Sequence, residues 1–162
     1  MYKLVKLKPN NLEPFSLIND INSNENEFKN TAFGKDLNQF KEWLVEQNNW
    51  SKGQGLPAGF VPQIIYWFYV DNVPVGMGKI RLRLNNDSRE VGGNVGYAIG
   101  KPFRGKGYGT VFLSLLISKA KRLNILEIML TVEKTNPISR HIVEKVGGQM
   151  VKETNERWYF SF

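Results

Sequence analysis

The residues best suited to chemistry lie in one short run, Arg104-Gly105-Lys106-Gly107-Tyr108-Gly109, which interleaves two cations with three glycines. Such a turn, placed at the start of a helix, exposes backbone N–H groups that have no partner within the helix, and the helix dipole adds positive potential there. Glycines let a bulky anion reach those amides without meeting a Cβ atom. A hydrogen bond to a charged acceptor contributes about 1.5–3 kcal/mol, so several converging amides favour a diphosphate. Three phosphate-binding patterns compete for the run. The Walker A pattern fits from Gly100 to Lys106, but Gly107 stands where a magnesium-ligating hydroxyl is needed. The dinucleotide pattern could begin at Gly105, but its third glycine falls on Thr110. The pattern [RQ]-x-x-G-x-[GA] is satisfied by Arg104, Gly107 and Gly109.

The elements that must position this loop are legible on either side. Asn94 to Lys101 predicts a short strand leading in, and Tyr108, Phe112, Leu115, Leu116, Ala120 and Leu123 predict an amphipathic helix from about Gly107 to Leu123. Leu126 to Val132 predicts a buried strand. Asn136-Pro137 predicts the cap and first position of a second helix, which Gly147-Gly148 ends. Upstream, Gln63 to Val70 and Val75 to Leu84 predict a hairpin about Asp71-Asn72-Val73-Pro74, followed by a polar loop from Asn85 to Gly93. Residues 149–153 and 157–161 predict a last hairpin. In the first third, residues 1–8 predict a strand. Leu12, Phe15, Leu17, Ile18 and Ile21 predict one helix, and Leu37, Phe40, Trp43 and Leu44 another with Asp36 as N-cap. Residues 51–62 read as a loop. The expected whole is a single α/β domain over residues 1–162.

Composition narrows the chemistry. There is no cysteine, which excludes disulfides, thiolate metal sites and a cysteine nucleophile. No metal is expected. No apolar run approaches the roughly 20 residues that span a bilayer, and the start of the chain lacks the apolar core of a signal peptide. Neither a membrane partner nor export is therefore expected, and the expected location is cytoplasmic. A net charge of +7 favours an anionic partner, nucleic acid or a polyphosphate ligand alike. No Arg- and Lys-rich recognition helix or stacking pair of aromatics stands out, so nucleic acid is not the expected partner.

The loop resembles the coenzyme A loop of the GCN5-related N-acetyltransferase (GNAT) superfamily. It follows a strand containing Gly96-Tyr97-Ala98-Ile99. Some 30 residues on, Asn136-x-x-Ser139 and Glu144-Lys145-Val146-Gly147-Gly148 resemble the family's second segment. The likeness covers about residues 63–162, and Gly92 to Tyr97 with Arg104 to Gly109 is similar to a group of bacterial predicted acetyltransferases. It implies a mixed, mostly antiparallel central sheet with splayed strands flanked by helices. The implied activity is acetyl transfer from acetyl-CoA directly to a primary amine of a small molecule or peptide. A non-catalytic acyl-CoA-binding module is the alternative, and a homodimer is compatible with either.

The resemblance also implies site residues. Backbone amides of Arg104, Gly105, Lys106, Gly107, Tyr108 and Gly109 would hold the pyrophosphate, with Thr110 adding its hydroxyl. Ile99 and Lys101 would pair with the pantetheine arm, Asn136 would hydrogen-bond it while also capping its helix, and Ser139 would touch the coenzyme. Many members carry an acidic tyrosine on the second helix, where this chain has Val143, which leaves Tyr97 or Tyr108 as the candidate acid. Glu133, at the end of its strand, is the first candidate base, with Glu90 behind it. The single histidine, His141, is expected on a helix face rather than in catalysis. Lys79, Arg81 and Arg83 share one face of a strand and suit a carboxylate or phosphate on the acceptor, with Arg83 and Asn94 expected to face it.

Overall fold

The strand Gln63–Val70 (β4) is apolar and aromatic from Ile64 on because both of its faces are covered. Ile64, Tyr66 and Phe68 enter one core, while Ile65, Trp67 and Tyr69 enter a second core on the opposite face. The computed structural model, which describes residues 1–162, builds outward from this strand. Tyr2–Lys6 (β1) pairs with one edge of β4, and Val73–Arg81 (β5) pairs with the other. Asp71 and Asn72 make the tight β4–β5 turn with φ of 47° and 66°, left-handed values that Asn and Asp tolerate. Val95–Ile99 (β6) completes a sheet of order β1-β4-β5-β6. Met129–Glu133 (β7), Gln149–Glu153 (β8) and Arg157–Ser161 (β9) form a second sheet of order β7-β9-β8. Every pairing within the sheets is antiparallel.

The helix Tyr108–Arg122 (α3) links the two sheets and fills the first core with Phe112, Leu113, Leu116, Ile117 and Ala120. Phe112 stacks on Phe68 at 4.8 Å and 8°. Pro137–Val146 (α4) packs beside it through Ile142, Val143 and Val146. Leu37–Ser51 (α1) covers the second core with Phe40, Trp43 and Leu44, and Asp36 and Gln39 cap it reciprocally. No helix is long and apolar enough to cross a membrane.

The structure corrects four local expectations. Residues 12–21 do not form a helix; only the single turn Glu13–Ser16 is helical, of the 3-10 type. Leu17, Ile18 and Ile21 are fully buried, but the Asn30 side chain takes the carbonyls of Ile18 and Ile21 at 2.7 and 2.8 Å, so a tertiary donor replaces the helical one. Downstream, Asn24–Glu25 (β2) and Phe28–Lys29 (β3) form a small hairpin where the sequence predicts no element. The expected polar loop contains a short helix, Asn86–Glu90 (α2), capped reciprocally by Asn85 and Ser88. Leu126 is 96% exposed, and β7 begins three residues later.

Candidate functional site

The two sheets meet at one point and then diverge. At that apex the Asn94 N–H donates to the Met129 carbonyl at 2.7 Å, and its side-chain oxygen accepts the Met129 N–H at 2.9 Å. Its side-chain nitrogen donates to the Arg81 carbonyl at 3.1 Å. Asn94 is 3% exposed, so it pins the sheets rather than facing an acceptor, which corrects the expectation for this residue. Beyond the pin β6 and β7 splay. The bonds Gly100 N–H to Val75 and Arg81 N–H to Asn94 fix the phase of the β5–β6 ladder. Even-numbered residues of β6 bond β5, and the backbone groups of Tyr97 and Ile99 point into the gap. The structure thus leaves Ile99 at the gap and adds the backbone of Tyr97. Lys101 does not join them: it opens a 3-10 turn, and its N–H donates to the Asp20 carbonyl at 2.9 Å.

β6 leads to the glycine loop at the open end of the gap. Gly105 and Gly107 have φ of 76° and 79°, with nothing within 4 Å of a Cβ built on either. These left-handed turns aim the chain into α3 without obstructing the approach. No acceptor within the chain takes the backbone N–H groups of Gly105, Lys106, Gly107, Tyr108, Gly109 or Thr110, and no side chain caps the helix. A row of free amides beside the exposed Lys106 is what a diphosphate requires. Arg104 departs from the expectation, because its backbone N–H donates to the Lys101 carbonyl at 3.4 Å and so does not join the free amides. Its guanidinium donates to the Ile99 carbonyl at 2.8 Å and to Glu25 at 2.6 Å, so it braces the loop against β2 instead of entering the cradle.

Across the gap, Asn136 caps α4 with its side-chain oxygen, which accepts from the Ser139 N–H at 3.3 Å. Its side-chain N–H groups have no partner within the chain, so capping leaves the nitrogen free. Ser139 and Tyr97 come together, hydroxyl to hydroxyl, at 3.0 Å. Burial raises the Tyr97 phenol above its usual range while the Ser139 bond lowers it in part, and the net shift keeps the phenol protonated. Tyr108 instead packs against Phe68 and Tyr2. Val143 is wholly buried and supplies no polar group. Exposed His141 lies on the outer face of α4.

On the opposite face, the β2–β3 hairpin straps the gap. Glu25 pairs with Arg104 on the β6 side, and Glu27 pairs with Arg157 of β9 at 2.8 and 3.2 Å. Glu133 is the residue opposite Arg157 in the β7–β9 register, and its carboxyl meets that of Glu27. Burial, followed by the Glu133 carboxyl, pushes Glu27 above the usual carboxylate range, against the opposing pull of Arg157. The expected base therefore has a partner that sequence reasoning missed. Only the hairpin register brings Glu27 there, and its one signal was the polar pair Asn26-Glu27, which turns with φ of 51° and 64°.

Next along the hairpin, the Phe28 ring lies 4.7 Å from the Lys79 ammonium, which also donates to the Lys29 carbonyl. Arg81 donates to the Gly93 carbonyl at 2.9 Å. Arg83 lies past the end of β5, exposed and without a hydrogen bond, so Lys79 and Arg81 line this face in its place. Glu90 stands apart from the carboxyl pair; its side chain borders an open groove of about 710 Å³. Arg89, Met129, Lys152, Arg157 and Tyr159 line the same groove, which runs along the β7–β9 face toward Arg157.

A family model described as an acetyltransferase (GNAT) domain matches residues 3–149. No curated protein matches the chain. Among solved structures, the chain is similar to a GNAT-family acetyltransferase from Streptococcus pneumoniae, with 15% identity, a TM-score of 0.64 and coverage of 100% of this chain and 98% of that one. It is also similar to the ribosomal-protein-S5-alanine acetyltransferase from Vibrio fischeri, with 17% identity, a TM-score of 0.71 and coverage of 99% and 92%. A dodecameric spermidine N-acetyltransferase from Vibrio cholerae gives 15%, 0.66, 99% and 92%. At these identities the likeness speaks to the fold: an α/β unit with mostly antiparallel sheet flanked by helices.

Proposed function

The chain belongs to the GNAT acetyltransferase family and is an acetyltransferase; we propose that it transfers the acetyl group of acetyl-CoA directly to a primary amine of a small molecule or peptide. The observation that carries this reading is the row of unpaired amides from Gly105 to Thr110 at the open end of the gap.

Acetyl-CoA, when bound, supplies an acetyl group activated as a thioester. The amides of Gly105 to Thr110, with Lys106 and the Thr110 hydroxyl, hold its diphosphate. The edge of β6 at Tyr97 and Ile99, and the free side-chain N–H groups of Asn136, hold its arm. The carboxyl pair Glu133 and Glu27 takes the proton that an ammonium must lose before its nitrogen becomes a nucleophile. As the new C–N bond forms and the C–S bond breaks, the Tyr97 hydroxyl, steadied by Ser139, holds the proton that the departing sulfur needs. No cysteine is available for an acyl-enzyme, in keeping with direct transfer.

Calorimetric titration with acetyl-CoA, set beside thiol release over a panel of amines, tests the reading. Micromolar binding abolished by Gly107→Glu is expected, and undiminished affinity in that variant would overturn the cradle. Coenzyme binding without thiol release on any amine would overturn transfer in favour of an acyl-CoA-binding module.

A further inference from the structure

Lys79 and Arg81 are two half-buried basic side chains on the acceptor face of β5, and neither has a carboxylate within 4.0 Å. Every other arginine buried to a similar degree, Arg157 above all, is paired. Burial penalises the Lys79 ammonium most, and Arg81 and then Lys29 repel it further. Only backbone carbonyls accept hydrogen bonds from them, that of Lys29 for Lys79 and that of Gly93 for Arg81. A lysine has three N–H donors and an arginine five, so most of their donors stay free. A protein gains nothing in stability by gathering unpaired cations in a cleft, because desolvation is not repaid there.

Their surroundings tie them to the reacting end of the gap. The Phe28 ring over Lys79 is the next residue after Glu27. Arg81 reaches the Gly92–Gly93 turn, whose Gly92 N–H donates to the Thr131 hydroxyl at 2.7 Å. Thr131 lies on the same face of β7 as Glu133, two residues and therefore about 7 Å away. One face thus carries a carboxyl pair at one end and an unpaired pair of basic side chains at the other.

We infer that the acceptor is a compact amine carrying its own anionic group, a carboxylate or phosphate a few bonds from the nitrogen, which docks on Lys79 and Arg81 while the amine meets Glu27 and Glu133. The inference rests on the amine-acetylation reading for the role of the amine, whereas the anion site stands on its own geometry. A polycation such as spermidine is the wrong charge for this face, and an uncharged amide lacks the group that the cations would hold.

The test compares free α-amino acids and O-phosphoethanolamine with the matching amino acid amides, ethanolamine and spermidine, followed by thiol release from acetyl-CoA. Anionic amines are expected to exceed their neutral counterparts at least tenfold in kcat/KM, with that preference lost in Lys79→Met and Arg81→Gln. Preference for the amides, ethanolamine or spermidine would overturn the inference. Calorimetric titration with O-phosphoethanolamine decides the matter independently of turnover. Binding at least tenfold weaker in both variants, each retaining its acetyl-CoA affinity as a check on folding, supports an anion site even if no amine reacts. Absence of binding to the wild-type protein, or equal binding in the variants, overturns it.

Discussion

Replacing Asn94 with alanine should loosen the apex from which the two sheets diverge. The side chain accepts from the Met129 N–H at 2.9 Å and donates to the Arg81 carbonyl at 3.1 Å, at a position 3% exposed to solvent. Alanine leaves both backbone groups without these partners where water cannot substitute freely. A buried polar group left unpaired costs about 1–3 kcal/mol, so two should cost about 2–4 kcal/mol together once some relaxation is allowed. That is a large share of the about 5–15 kcal/mol by which a domain of this kind is stable. The two backbone bonds through Asn94, to Met129 and from Arg81 at 2.7 Å each, survive the change, so the fold should persist. Urea unfolding should show a lower midpoint with an unchanged slope, because the surface exposed on unfolding is nearly the same. Acetyl-CoA affinity should fall as well, since the separation of β6 and β7 is set at this pin. A loss of stability below about 0.5 kcal/mol would refute the reasoning, because it would mean that the backbone contacts hold the apex without the side chain.

Gly107→Ala should cost stability by about 1–2 kcal/mol, because φ there is 79° and a Cβ in that region meets the following carbonyl; thermal melting measures it. Gly109→Ala differs, since its Cβ would lie 3.1 Å from Ile142 Cδ1, so it should weaken α3–α4 packing as well as coenzyme binding, and Gly107 is the cleaner probe of the cradle. Burial raises the Glu27 carboxyl most and Glu133 next, so Glu133→Gln should bring it part of the way back toward its ordinary range, and carboxyl-resolved NMR titration would show a shift to lower pH. Lys79 is lowered to about 7 by burial, then by Arg81 and Lys29. The unfolded chain holds a proton there that the folded one releases, so stability should rise with pH from about 7 toward the ordinary lysine value, and Lys79→Met should flatten that rise in urea titrations at pH 7 and 9.

Much of the fold was legible because it depends on short-range rules. The two-faced β4 run, the Asp36 and Asn136 caps, the helix stripe of α3 and the glycine turn all declare themselves within a window of a few residues. The failures share a cause. Residues 12–21 carry apolar spacing suited to a helix, yet Asn30 claims their carbonyls from a distance, and a local pattern cannot register a competing donor. The β2–β3 hairpin has only two residues in each strand, too few for a period to show. Arg104 matched a phosphate-loop pattern by type, but its guanidinium is committed to Ile99 and Glu25.

The sequence alone determined where an anion could bind, since a glycine turn opening a helix creates free amides through local backbone geometry and needs no distant partner. Tertiary structure decided what surrounds that loop. Asn94 became the pin of the gap only when Arg81 and Met129 arrived from two other strands. Glu27 joined Glu133 only through an arginine 130 residues away in the chain. Side-chain chemistry at such sites depends on neighbours that strand register and hairpin placement bring together, and those are set by how the whole chain packs.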